Sequence, residues 1–433
     1  QGWYRGDQHV HSHKATDWHD DDQPIDEYAR QAADIQLDWM IITDHANHPL
    51  FNADKFNDQR IACDAVTQQG DTICLYGQEL ALTTEGAPSS GGSNERAEHL
   101  LVYPGTTAYT PLSYFPQSEC DPSNPFDWNK NCPSPSSAFD WADASNALTI
   151  IAHPFDTSFH ACALGVCLAG QNDWLTWDDD RAKGLEIFSN DDGVFSEFDQ
   201  TSFNYWRTSQ IDKIGVGNSD AHYPEDLGTT HTWCKIQGSL TRSSILEALS
   251  AGRCVASNGP FFSLMINGVG PGERTATQAG EVPVNISIRL PEATATEATI
   301  SFYWPSWEDN PPFAQRSLVI DEPLEQTTIT LPLGDTSGVH YPLVAVLDYT
   351  GSAIDDENQL APKARKAIAN PVWLKVTTGN PDPQPAITAP TSSLPIPLNA
   401  EATVPFLIRN LGGATSANGG IAVISSSPQL EIL

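Results

Sequence analysis

Positive charge is what this sequence has least of. Its 433 residues hold 22 Lys and Arg against 55 Asp and Glu, a formal net charge of −33. Nucleic-acid binding depends on Lys and Arg displacing counterions, and anionic membrane surfaces attract the same side chains. Nucleic acid and other polyanions are therefore not expected as partners. Long apolar runs are also missing, so no membrane span is expected. No CxxC pair occurs; Cys162 and Cys167 are separated by four residues, which rules out zinc-ribbon spacing. There is no internal repeat and no signal peptide, and a chain opening at Gln1-Gly2-Trp3 is expected of a mature form after processing.

What is present is enough for a folded protein. Hydrophobic residues make up 39%, including 12 Trp, 16 Phe and 11 Tyr, which excludes a disordered acidic chain. The length fits two or three domains. Eight cysteines fall as near neighbours: Cys63 with Cys74, Cys120 with Cys132, Cys162 with Cys167, and Cys234 with Cys254. We read them as candidate disulfides, although sequence leaves the connectivity open. Disulfides imply an oxidising compartment, so a secreted or periplasmic protein is expected.

Eleven of the twelve histidines precede residue 232, which separates a chemical N-terminal part from a quieter C-terminal one. In the first part, β-rich segments at 6–11, 39–44, 72–79, 99–103, 148–153, 184–189 and 214–220 alternate with helical patterns. That alternation predicts an α/β barrel. Ile25, Tyr28, Ala29, Ala32 and Ala33 repeat at helical spacing after Pro24, and 243–249 reads as a helix ended by Gly252. The insertion at 104–147 reads equally as a lid or a decorated loop. Period-two alternation at 282–290, 299–304, 326–331 and 343–348 predicts a β-sandwich. The expected organisation is 1–258 barrel, 259–376 β-sandwich, 377–390 linker, and 391–433 a partial sandwich-like module in which the chain stops.

Six clusters carry the chemistry. The first is Asp7-Gln-His9-Val-His11-Ser-His13-Lys-Ala-Thr-Asp17. In a strand, His9 and His11 share a face, so both imidazoles can reach one ion. The others are Thr43-Asp44-His45, Gln78-Glu79, Glu98-His99, Ala152-His153-Pro154 and Asp220-Ala-His222. A single His at a strand end is more often a hydrogen-bonded structural residue. Six such places in one alternating pattern are another matter, because desolvating so many ionisable groups is costly without cations. Catalytic groups of barrels gather at the C-terminal ends of strands, where these lie.

In this order the motifs resemble those of the polymerase-and-histidinol-phosphatase (PHP) superfamily over most of residues 3–260. The opening Gly2-Trp-Tyr-Arg-Gly-Asp-Gln-His, then Gly184-Leu-Glu-Ile-Phe and Ser257-Asn-Gly-Pro-Phe, are similar to the branch that includes bacterial carbaryl hydrolase. The resemblance implies a distorted seven-stranded (β/α) barrel of PHP type holding two or three divalent ions, Zn, Mn or Fe. It would put His9, His11, Glu79 and Asp220 on one ion, and Glu79, His99 and His153 on a second. Asp17, His45 and His222 would take a third, with His13 or His19 as substitutes for Asp17. Asp44 would orient rather than ligate.

The expected reaction is hydrolysis of small phosphate esters, mono- or diesters, by a water made acidic between divalent ions. Three such ions outweigh the carboxylates of Asp17, Glu79 and Asp220, so the site favours an anion. His222, His13 and His160 are candidate proton donors. Lys14 and Arg5 are phosphate contacts or, more commonly for such residues, surface charges. One rival is a carboxyl ester or carbamate hydrolase, whose apolar pocket Trp18, Trp128, Trp141, Trp174 and Trp177 could line. The other is a non-catalytic surface binding protein, against which the intact ligand set argues. Nothing in the C-terminal modules marks a ligand site.

Overall fold

The computed structural model describes residues 2–12, 24–46, 51–83, 97–105, 111–115, 134–155, 160–163, 166–169, 181–189, 192–291, 296–304, 311–354, 360–378, 385–388 and 407–410. It is mixed α/β and mostly sheet. The N-terminal part runs β1 (Gly2–Val10), α1 (Ile25–Asp34), β2 (Trp39–Ile42), α2 (Ala53–Gln69), β3 (Ile73–Tyr76), β4 (Gln78–Thr83), β5 (Ala97–Gly105), α3 (Pro135–Ala144) and β6 (Ala147–Ile151). It continues with β7 (His160–Ala163), β8 (Val166–Ala169), β9 (Gly184–Ser189), α4 (Glu197–Ser209), β10 (Ile214–Asn218), β11 (His231–Ile236), α5 (Arg242–Ser250) and β12 (Cys254–Ser257). After these come β13 (Phe261–Met265), β14 (Arg274–Gln278), β15 (Gly280–Arg289), β16 (Thr296–Tyr303), β17 (Ala314–Ile320) and β18 (Glu325–Leu333). The last strands are β19 (His340–Ile354), β20 (Leu360–Ala369), β21 (Val372–Thr377), β22 (Pro385–Thr388) and β23 (Leu407–Asn410).

Local sequence explains the helices. The apolar stripe of α1 buries Ile25, Tyr28 and Ala32, and Asp26 and Glu27 occupy its first turn, where the helix dipole favours acid. Helix α2 is capped by Asn52, whose side chain accepts from the amides of Asp54 and Lys55, and ends at Gly70 in the left-handed region. Among the described residues no helix is long and apolar enough to cross a membrane.

Each of the seven expected strands has a counterpart, but they do not form one hydrogen-bonded ring. Strands β3, β2, β1, β11 and β12 lie side by side in one sheet, and β4, β5, β6, β9 and β10 in another. Strand β5 is antiparallel to both β4 and β6, where a (β/α) barrel would have parallel neighbours. The segment expected as one strand at 72–79 divides at Gly77. A Cβ there would sit 2.6 Å from the carbonyl oxygen of Val102, so only glycine lets the chain turn from one sheet into the other. Two narrow seams connect the sheets. At one, the His11 amide donates to Ala221 O at 2.8 Å; at the other, the Ala46 amide donates to Glu79 O at 2.9 Å. Both seams are lined by candidate ligands.

The N-terminal sheet does not stop at β12. It pairs antiparallel with β20 and continues through β19, β21 and β14, with β16 and β17 attached, making eleven strands. A separate sheet of β13, β15 and β18 shares an apolar core with these C-terminal strands, including Phe262, Ile286, Ile300, Leu347 and Leu374. Strands β22 and β23 pair antiparallel, so 385–388 is strand where a linker was expected. Cys63 bonds Cys74 and Cys234 bonds Cys254. Cys120 and Cys132 lie outside the described residues, as do the side chains of Cys162 and Cys167, whose backbones face each other in the β7–β8 hairpin.

Asn370, between β20 and β21, clips the C-terminal strands to β10. Its Oδ1 accepts from the Gly215 amide at 2.8 Å, and its Nδ2 donates to Gly215 O at 2.8 Å and Cys254 O at 3.0 Å. Replacing it by alanine would orphan both buried peptide groups of Gly215. Asn370→Ala is expected to lose at least about 2 kcal/mol in denaturant unfolding. An unchanged midpoint would show that the clip contributes nothing.

Candidate metal centre

The cluster forms where strand ends from both sheets converge. Strand β1 delivers His9 and His11, β2 leads to His45, and β4 carries Glu79. His99 is on β5, His153 follows β6, and Asp220 and His222 follow β10. Glu79 is fully buried at the centre. Its Oε2 lies 2.7 Å from His45 Nδ1, 3.3 Å from His11 Nε2 and 3.5 Å from His9 Nε2. Its Oε1 lies 2.7 Å from His99 Nδ1 and 3.3 Å from His153 Nε2. Asp220 Oδ1 is 3.1 Å from His9 Nε2 and 3.0 Å from His11 Nε2. His222 stacks on His11 with ring centres 4.6 Å apart and offers a ligand atom beside those of His11 and His45.

These contacts fit cations better than a proton network. His9 Nδ1 is 2.8 Å from Glu186 Oε1, so that nitrogen donates, and Nε2 is the atom left to take an ion once its own proton has gone. That atom lies 3.0 Å from His11 Nε2 and 3.1 Å from Asp220 Oδ1. Glu79 Oε2 accepts no well-aligned hydrogen bond despite three imidazole nitrogens around it, and His11 Nδ1 is likewise buried without a partner. Among the described residues three groups have ligand atoms within reach of a shared ion: His9–His11–Glu79, His45–Glu79–His99, and His11–His45–His222. Imidazole with carboxylate and no thiolate suits Zn²⁺, Mn²⁺ or Fe²⁺.

Backbone and outer contacts hold the side chains in place. His153 and Asp220 both have left-handed φ, 24° and 53°, a strained conformation for residues with a Cβ. The end of β1 is fixed by Tyr28, whose hydroxyl donates to His11 O at 2.7 Å. Asp44 fixes it too, accepting from the Ser12 amide at 2.6 Å and the Ser12 hydroxyl at 3.0 Å. Asp7 is also buried; its carboxylate accepts from the Ser219 hydroxyl at 2.5 Å and the Gly228 amide at 2.9 Å. Burial pushes the Asp7 carboxyl up to about 6, against those hydrogen bonds. Sequence reasoning gave no role to Asp7 or Glu186, although both sit inside motifs it quoted.

Other expectations fall elsewhere. His13, Lys14, Asp17 and His19 lie outside the described residues, as do the His160 side chain, Trp18, Trp128, Trp174 and Trp177. Trp141 packs on Phe115 with ring centres 4.8 Å apart, a loop-packing role. Arg5 is not at the cluster: its guanidinium donates to Ile35 O and lies 6.0 Å from the Trp233 ring. Of the insertion at 104–147, residues 104–105, 134–147 (with α3) and 111–115 are described. Gln78 holds the latter through Ser113 O at 3.1 Å and the Phe115 amide at 3.1 Å.

A family model described as PHP-associated matches residues 209–254, the stretch that holds Asp220 and His222. This agrees with the superfamily resemblance of the motifs, and nothing in the comparisons picks out the carbaryl-hydrolase branch. No curated protein matches. Among solved structures, a Bifidobacterium adolescentis protein provisionally named a metal-dependent phosphoesterase is similar over 56% of this chain and 95% of its own. Its identity is 14% and its TM-score 0.35, too slight a likeness to argue from.

The electrostatics of the cluster set a pH dependence. Burial holds the His11 ring down to about 4, with the neighbouring rings of His45 and His222 adding to the effect. Burial also disfavours charge on His153, but its hydrogen bond to Glu79 and the charges of Asp220, Glu79 and Glu186 outweigh this and raise it to about 9. An ion taking that nitrogen must expel its proton. Below about pH 9 ion binding therefore releases at least this proton, and apparent affinity is expected to fall at least about tenfold per unit drop in pH. Calorimetric Zn²⁺ titrations between pH 6.5 and 8.5, in buffers of different ionisation enthalpy, measure this; equal affinity across the range contradicts it.

Proposed function

We propose that this protein is an extracytoplasmic metal-dependent hydrolase that cleaves small phosphate esters, with residues 1–258 carrying the chemistry. The observation that carries this reading is Glu79, buried with five imidazoles divided between its two oxygens. Divalent ions bound there would acidify a water and neutralise the oxygens of an anionic ester. The chain's own part is to hold the ions in one register through His9, His11, His45, His99, His153, Glu79 and Asp220. With Nδ1 of His222 donating to Asp220 O at 2.7 Å, its Nε2 offers a lone pair, so His222 serves as a ligand rather than a proton donor. The two disulfides among the described residues support an oxidising compartment.

The test is turnover by Zn²⁺- or Mn²⁺-reconstituted protein of p-nitrophenyl phosphate, bis-p-nitrophenyl phosphate and p-nitrophenyl acetate, with Glu79→Ala as control. Phosphoester turnover is expected, with kcat/KM falling more than about 100-fold in the variant, beyond the loss typical of a residue that only orients a ligand. Turnover of the acetate alone would replace this reading with a carboxyl ester or carbamate hydrolase.

A further inference from the structure

Glu186 touches two candidate ligands that belong to opposite sides of the cluster. It is buried on β9, between β6 and β10, with 1% exposure. Its Oε1 is 2.8 Å from His9 Nδ1, and its Oε2 accepts from the His153 amide at 2.6 Å. The first contact sets the His9 tautomer and sends Nε2 toward the Oε2 side of Glu79. The second holds the backbone of His153 at φ 24°, which sends its Nε2 to the Oε1 side. One carboxylate therefore fixes both rings from behind while Glu79 meets both from the front.

We propose that Glu186 is a positioning residue that couples two cation sites, one on each oxygen of Glu79, so that ions bind there as a matched pair. The inference rests on the metal-binding reading of the cluster and on no particular substrate. Both oxygens of Glu186 are needed, because both partners are N–H donors. A glutamine has one acceptor oxygen and one donor NH₂, so it can serve only one of the two. Glu186→Gln keeps the volume and breaks the double contact.

Chelator-treated full-length protein titrated with Co²⁺ tests this, since visible Co²⁺ absorption reports ligand geometry as well as occupancy. Two ions are expected to bind the wild type within a narrow concentration range. In Glu186→Gln the two steps are expected to separate, with one weakened about 10–100-fold and its absorption changed. A residue that only braces the fold would lower the unfolding temperature of the chelated protein and leave the isotherm and spectrum as in the wild type. That result overturns the proposal. If Glu186→Gln does not fold, Glu186→Asp decides by the same readout, because its shorter arm keeps the charge but cannot span both donors: separated steps support the proposal, a wild-type titration overturns it. Wild-type protein that binds no Co²⁺ overturns both this proposal and the metal reading beneath it.

Discussion

A fully buried carboxylate, Glu79, ringed by imidazoles, is the constraint around which the N-terminal half is built. Taking one carboxylate and several imidazoles out of water costs several kcal/mol per charged group unless each finds a partner. Burial alone would raise the pKa of Glu79, but the rings of His45, His99 and His9 pull it well below the usual carboxylate range. The same balance operates in reverse at His9, where burial would discharge the ring and Asp220, Glu79 and Glu186 keep its pKa well above normal. Such mutual dependence ties strand ends from two sheets to one point. Lose Glu79 and several rings lose the partner that makes their burial tolerable.

The sheets are arranged to serve that point. Their ladders are strong along each sheet and thin at the seams, where Val10 meets Ala221 and His45 meets Glu79 as isolated bridges. Stiffness comes instead from outside the seams. Asn370 holds Gly215 at the start of β10, and Asn258 donates to Gly193 O at 2.8 Å and Ala364 O at 2.9 Å, tying the loop after β9 to β20. The C-terminal strands thus brace the two strands that carry Glu186 and lead to Asp220.

Much of this was legible in the sequence. His9 and His11 share a strand face by period two, and apolar runs ending in His or Asp marked where strands stop and side chains reach the cluster. The structure brings all of those described within one connected set of contacts. Other features depend on distances between strands, which composition does not encode. Glu186 looks like any charged residue in a β-rich run; only its position behind His9 and His153 gives it a role. The break at Gly77 follows from the approach of Val102 O, a partner twenty-five residues further along the chain. Likewise the reversal of β5 and the continuation of β12 into β20 are matters of pairing. The strands that carry the candidate ligands were readable from patterning; β11, β12 and β20, and the order of the strands, were not.

Holding the ligands by hydrogen bonds that no ion takes part in has an energetic consequence. Tyr28 on His11 O, Asp44 on Ser12, Asp7 on Ser219 and Glu186 on His9 and His153 are all contacts within the chain. They fix the ligand backbone at its unusual φ values during folding, so the cost of ordering the cluster is met before any ion arrives. Ion binding would then have to supply dehydration of the ion and loss of the protons on His9 and His153, whose rings both sit above their ordinary range. A site organised this way would not have to fold around its metal, in contrast to small zinc domains whose fold depends on the ion. In the proposed hydrolase it would also hold bound ions in a geometry set by the sheets rather than by mobile side chains, and such preorganised charge is usually the largest single contribution to rate.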